Sequence, residues 1–227
     1  MRRLQLSPSI LTADFARLGE DIASVAGHVD WFHLDVMDGH YVPNLTFGPT
    51  IVEAVRRSCD KPLHVHLMIE DPVRYAPLFA DAGADRISFH PEVVEDVGAA
   101  ISKIRAAGSG VGLAVHPDVA LEAVEPHVDR IDVVLMMTVR PGFGGQRFLH
   151  EAVPKITEAK KLVEHAGALA DVEVDGGIKL DTVDEAVRAG GEIVVAGSAI
   201  FDGVDAPGAA RRLRARLDAL GDEPADG

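Results

Sequence analysis

Four side chains on three apolar segments are the part of this sequence best able to do chemistry. His33 and Asp35 interrupt the run Trp31-Phe32-His33-Leu34-Asp35-Val36-Met37; His66 lies in Leu63-His64-Val65-His66-Leu67-Met68; Asp175 closes Val172-Glu173-Val174-Asp175. Side chains alternate faces along a strand, so His33 and Asp35 project together while Phe32, Leu34 and Val36 pack the other side. Their Cα atoms then lie about 6.7 Å apart, close enough to converge on one ion. Burying two imidazoles and two carboxylates among apolar strands is costly unless something compensates, and a divalent cation does so. This ligand set suits Zn, Fe, Mn or Co without selecting among them.

The elements that must carry these groups can be read along the chain. Short apolar runs alternate with amphipathic stretches, the pattern of a parallel sheet with crossover helices. Strands are expected at 5–10, 31–35, 63–67, 86–89, 112–115, 133–137, 171–174 and 193–196, and helices at 15–25, 73–81, 94–106, 153–166 and 180–189. Gly27, Gly83, Gly108, Gly167 and Gly190 sit where helices should end, as C-terminal caps do. Eight strand–helix units in this length predict an α/β fold, a (β/α)8 TIM barrel forming a single domain over residues 1–220. The polar tail 221–227 is expected to be disordered. Active sites of such barrels lie at the C-terminal strand ends, where His33, Asp35, His66 and Asp175 fall.

Composition narrows the function classes. A length of 227 residues with 47% hydrophobic content supports one core of barrel size. No apolar run approaches the roughly 18 residues that span a bilayer, and the N-terminus lacks the long apolar core of a signal peptide. The single cysteine, Cys59, can form no internal disulfide, which fits a cytoplasmic location. A net charge of −14 argues against nucleic acid as a partner. It leaves room for a small phosphorylated ligand held by backbone N–H groups.

Glycine clusters supply such groups. Gly176-Gly177 and Gly197-Ser198 follow the seventh and eighth strands, the loops from which barrels of this kind often build a phosphate site. Pro141-Gly142-Phe143-Gly144-Gly145 follows the sixth strand and reads as a loop that folds over a ligand.

Seven stretches in order resemble the ribulose-phosphate 3-epimerase family: Ser7-Pro8-Ser9-Ile10-Leu11 with Ala13-Asp14-Phe15; His33 through His40, continuing to Pro43-Asn44; His66-Leu67-Met68-Ile69; Phe89-His90-Pro91-Glu92; Met137-Thr138-Val139 with Pro141 through Gln146; Val174 through Ile178; and Ala196 through Phe201. The resemblance spans Leu6 to Phe201. It implies a metal-dependent isomerase that interconverts D-ribulose 5-phosphate and D-xylulose 5-phosphate at C3, a pentose phosphate pathway reaction, through an enediolate. It implies His33, Asp35, His66 and Asp175 as ligands of one divalent ion, with Asp35 and Asp175 also the two acid/bases. Ser7, His66, Asp175 and the glycine loops (Gly142, Phe143, Gly144, Gly145, Gly176, Gly177, Gly197, Ser198) become substrate contacts. Met37, Met68 and Met137 become an apolar ceiling over the intermediate, and a homo-oligomer, dimer or hexamer, is expected. The chain departs from the family pattern at His64, His116 and Arg140.

Competing readings are a 3-epimerase for a six-carbon ketose phosphate such as allulose 6-phosphate, a lyase or decarboxylase on a related phosphate-binding barrel, and a non-catalytic sugar-phosphate sensor. Decarboxylases of that kind need a lysine at a strand end, and Lys61, Lys103, Lys155 and Lys179 fall outside the strand ends assigned above.

Overall fold

In the computed structural model, which describes residues 3–223, eight parallel strands form one sheet: β1 (Gln5–Pro8), β2 (Phe32–Met37), β3 (Leu63–Met68), β4 (Arg86–Phe89), β5 (Gly110–Val115), β6 (Val133–Met137), β7 (Asp171–Asp175) and β8 (Ile193–Ala196). Neighbours run β1-β8-β7-β6-β5-β4-β3-β2. A parallel bridge between Ser9 and His33 brings the two edges together, leaving a nearly closed barrel. All eight expected strands are present. Strands β2, β3 and β7 extend one or two residues further than expected, which carries Met37, Met68 and Asp175 into the ladders.

Seven α-helices pack outside: α1 (Leu18–Val25), α2 (Pro49–Ser58), α3 (Pro72–Asp81), α4 (Val97–Ala106), α5 (Val153–His165), α6 (Val183–Arg188) and α7 (Ala206–Asp222). Local chemistry sets several starts. Asp71, Asp96 and Asp205 accept from the N–H groups of Arg74, Ala99 and Gly208 at 3.1, 2.9 and 2.9 Å, capping α3, α4 and α7. The expected glycine caps adopt positive φ at Gly83, Gly108, Gly167 and Gly190, whereas Gly27 lies inside a 3-10 turn without it. The β5–β6 connection has no α-helix, only the 3-10 turns Leu121–Ala123 and Glu125–Arg130. Helix α7 extends to Asp222, two residues into the stretch expected to be tail; residues 224–227 of that expectation lie outside the described residues. Among the described residues no helix is long and apolar enough to cross a membrane.

The core is divided by strand parity. Phe32, Leu34 and Val36 of β2, Val65 and Leu67 of β3 and their outward-facing equivalents are buried against helix residues such as Val55, Phe79, Ile104, Ile156 and Leu213. Each fully buried aliphatic or aromatic side chain contributes about 1.5–3 kcal/mol relative to exposure. The inward side differs from the aliphatic filling usual for barrels. Trp31 donates to Gln5 at 2.7 Å and Arg86 stacks on its ring at 4.3 Å. Above them sit His33, His64, Ser88 and Glu173, all buried. Gly112 of β5 leaves space for this layer, because a Cβ there would overlap Ser88 Oγ and Val133 Cγ1. Gly112→Ala should therefore destabilise the barrel by about 1–3 kcal/mol, read from the denaturant midpoint; an unchanged midpoint would contradict this packing.

Candidate metal centre and active-site mouth

The paired register of β2 and β3 sets Asp35 beside His66, and β7 brings Asp175 in from three strands away around the ring. His33 Nε2 lies 3.2 Å from Asp35 Oδ1 and 3.8 Å from Asp175 Oδ2. His66 Nδ1 lies 3.2 and 4.0 Å from the same two oxygens. All four ligand atoms are within 4.8 Å of one another. A tetrahedral ion with bonds of about 2.0–2.1 Å needs ligand–ligand edges near ~3.4 Å, so side-chain shifts of well under about 1 Å per ligand would draw the four atoms onto one ion. His33 Nε2 is also buried with no hydrogen-bond partner, an orphaned polar atom of the kind an ion satisfies. The residues present fit a divalent metal.

Electrostatics agree. Burial and the neighbouring Asp35 carboxylate push the Asp175 carboxyl well above its usual range. For Asp35, burial is outweighed by His33 and His66, which hold its carboxyl far below that range. Burial opposes charge on His33, yet Asp35, Glu173 and Asp175 outweigh it and raise its pKa well above the ordinary value. His66 is lowered to about 3, chiefly by burial. Without an ion, three acidic groups and two imidazoles therefore share protons in a closed space.

Three of the four candidate ligands, Asp35, His33 and His66, are held from behind. Ser9 Oγ donates to Asp35 Oδ2 at 2.6 Å, leaving Oδ1 for the cluster. His33 Nδ1 lies 3.1 Å from Glu173 Oε1. His66 Nε2 lies 3.0 Å from His90 Nε2, and His90 Nδ1 is 3.5 Å from Glu92, to which the Tyr41 hydroxyl donates at 2.7 Å. Asp38 fixes the turn after β2, accepting from the N–H groups of His40, Tyr41 and Glu70.

A cavity opens directly above. Asp35 and Asp175 line its floor with Met37, Met68 and Met137; Gly176, Gly177, Gly197 and Ser198 form one wall; Pro141 through Gln146, including Gly142, Phe143, Gly144 and Gly145, overhang it. His33 and His66 lie beneath the floor, fully buried. Gly176 and Gly177 have φ of 124° and 68°, and a Cβ on Gly177 would overlap the backbone of Phe148, so glycine is required there. Phe143 is 56% exposed, and Gln146 Nε2 staples the overhanging loop through the carbonyls of Arg140 and Phe143 at 2.7 and 3.0 Å.

Two residues expected as substrate contacts, Ser7 and His66, are absent from the cavity lining. Ser7 is fully buried, pairs with Val195 and does not line the cavity; Ser9, one inward-facing position further along, does. The strand rises about 3.3 Å per residue, so a two-residue offset moves a side chain one whole layer. Thr12 is a further lining residue that the sequence patterns do not point to. Neither His116 nor Arg140 lines the cavity; Arg140 is paired with Asp118 at 3.2 Å. Glu173, His90 and Ser9 also escape the sequence reading as functional residues. Parity offers a signal for Glu173, which is spaced from Asp175 as His33 is from Asp35.

The ribulose-phosphate 3 epimerase family matches residues 5–201 of the chain that builds this site. Ribulose-phosphate 3-epimerase of Bacillus subtilis is 46% identical over 213 residues, covering 93% of this chain and 98% of its own. That of Serratia marcescens is 48% identical over 203 residues, 88% and 97%. Among solved structures, KGPDC from Streptococcus mutans superposes with a TM-score of 0.74 at 19% identity, covering 96% of this chain and 99% of that one. Orotidine 5'-phosphate decarboxylase from Pyrococcus horikoshii does so with 0.66 at 16%, covering 94% and 99%. At such identities the structural likenesses speak to the barrel alone.

Proposed function

Since the chain belongs to the ribulose-phosphate 3-epimerase family and is an isomerase acting on carbohydrates, we propose that it interconverts D-ribulose 5-phosphate and D-xylulose 5-phosphate with one divalent ion held by His33, Asp35, His66 and Asp175. The convergence of those four ligand atoms within 4.8 Å beneath a glycine-walled cavity carries the reading. A divalent ion there supplies positive charge against the enediolate oxygens as they develop.

The protein's own groups do the rest. One of the Asp35 and Asp175 carboxylates removes the C3 proton, the C–H electron pair moving into the enediolate. The other delivers a proton to the opposite face of C3, inverting it. Their placement on β2 and β7, on either side of the cavity floor, suits two-sided attack. The Ser9 hydroxyl orients Asp35. The methionines present polarisable, aprotic surface to the planar intermediate. Gly177, Gly197 and Ser198 offer backbone N–H groups to the phosphate, which lets a chain of net charge −14 hold a dianion. The loop from Gly142 to Gly145 closes over the sugar and excludes water.

The charge state predicts a pH dependence. The raised Asp175 carboxyl must give up its proton before it can ligate. Affinity for zinc should therefore increase with pH through the neutral range, with protons released on binding. Titration calorimetry in buffers of different ionisation enthalpy checks this; binding without proton release would contradict it.

The test of function is turnover. Purified, metal-loaded protein should convert D-ribulose 5-phosphate, and do so more efficiently than allulose 6-phosphate; a preference for the six-carbon sugar would reassign the substrate. A decarboxylase or lyase reading draws no support from the site, since no lysine lines the cavity among the described residues.

A further inference from the structure

Beneath the cavity floor lies a second buried cluster that the reaction does not use. Glu173 on β7 is 1% exposed, and His64 on β3 and Ser88 on β4 are equally enclosed. His64 Nδ1 lies 3.0 Å from Glu173 Oε1 and 2.8 Å from Oε2, and His64 Nε2 lies 2.6 Å from Ser88 Oγ. His33 Nδ1 meets the same carboxylate at 3.1 Å. Arg86 Nη1 approaches Glu173 Oε2 from below at 3.9 Å. One carboxylate thus faces two imidazoles and a guanidinium inside the barrel.

The hydrogen-bond contacts point to one proton assignment for the ion-loaded site. Glu173, ionised, only accepts, so His33 and His64 must both present Nδ1–H to it. His64 Nε2 then accepts from the Ser88 hydroxyl. His33 Nε2, the ring nitrogen without a hydrogen-bond partner, faces Asp35 and Asp175 and would present its lone pair to an ion held there. We propose that Glu173 is a positioning residue for the metal centre: it locks the tautomer and ring orientation of His33 so that Nε2 faces the ion, and His64 braces Glu173 from the side.

The placement explains an oddity of the sequence. A glutamate in the middle of an inward-facing barrel layer is expensive to bury, and the compensation comes from two imidazole donors on β2 and β3 and from the Arg86 charge on β4. His64 stands where the chain departs from the family pattern, so the brace belongs to that departure. Carboxylates behind ligating histidines raise ligand basicity and fix geometry, and their loss weakens metal binding about 10–100-fold.

An alternative use of the same atoms is a second metal site, because His33, His64 and Glu173 also lie within 4.8 Å of one another. It would need His33 Nδ1 as a ligand, whereas the positioning role needs that nitrogen protonated. The two are experimentally exclusive.

The inference rests on His33 being a ligand, and zinc binding separates the two levels. Unmodified protein titrated with zinc should hold one ion per chain. Glu173→Gln, which keeps size but removes the negative charge behind His33 and turns Oε2 into an N–H donor facing His64, should bind zinc about 10–100-fold more weakly by chelator competition, at a metal-free stability measured alongside. A merely structural glutamate would lower that stability without moving zinc affinity. Nitrogen-15 spectra of histidine-labelled, zinc-loaded unmodified protein should show a slowly exchanging Nδ1–H on both His33 and His64; this measurement needs no variant to fold. Two ions per chain, zinc on His33 Nδ1, or unchanged zinc affinity in Glu173→Gln would overturn the positioning role while leaving the four-ligand site in place. No zinc binding by the unmodified protein would overturn the site itself and the inference with it.

Discussion

Asp35→Asn and Asp175→Asn should each lower epimerisation of D-ribulose 5-phosphate by roughly 10²–10⁴-fold or more, the worth of one positioned acid/base. Asparagine keeps the shape of the side chain but can neither take the C3 proton nor hold the ion as well. The losses should not be additive in the double variant, because a single missing carboxylate already leaves one face of the intermediate without a proton carrier. Asp35→Asn also replaces the charged acceptor of the Ser9 hydrogen bond at 2.6 Å by a neutral amide, and Ser9→Ala, which removes that bond's donor, should show a smaller fraction of the same defect. Steady-state assays at saturating metal check both. If either aspartate variant, shown to retain metal, turns over at the unmodified rate, the two-aspartate assignment fails.

Protein stripped of divalent ions should lose turnover by about 10³-fold, on the basis that several kcal/mol of charge stabilisation is at stake and each ~1.4 kcal/mol is tenfold in rate. The loss should be reversed by adding back a divalent ion. Stripping should also reduce stability, since His33 and the two aspartates are left to share protons without the compensating charge. Chelator treatment followed by assay and thermal unfolding reads both effects. Full activity in protein shown by elemental analysis to be metal-free would remove the metal from the account.

The sequence is most legible where alternation is strict. His33, Asp35, His66 and Asp175 sit in apolar runs whose period of two puts them on one face, and the barrel converges them. Gly176-Gly177 and Gly197 are legible for a related reason: only a crowded turn or a close backbone approach asks for permissive residues at such points. Helix α2 is not among the expected helices. It begins at Pro49 after the Pro- and Gly-containing run from Pro43 to Gly48, and a proline there looks like a breaker although the first helical position tolerates it well. The β5–β6 connection forms only the 3-10 turns Leu121–Ala123 and Glu125–Arg130. Ser7 and Ser9 share parity, so alternation alone does not separate them, and only the barrel's stagger decides which layer reaches the mouth. Glu173 belongs to an otherwise apolar strand, and its spacing from Asp175 turns it inward; a charged residue inside a barrel reveals its purpose only when His33 and His64 are seen against it.

The claim that two aspartates act from opposite faces of an ion-stabilised enediolate is tested most directly by hydrogen exchange at C3 in deuterated water. Metal-loaded Asp35→Asn and Asp175→Asn each keep one carboxylate, which can still remove and return a proton on its own face without inversion. One variant should therefore wash deuterium into ribulose 5-phosphate and the other into xylulose 5-phosphate, neither converting the sugars at the unmodified rate. Exchange into both epimers by a single variant would show that one carboxylate serves both faces, and would contradict the account.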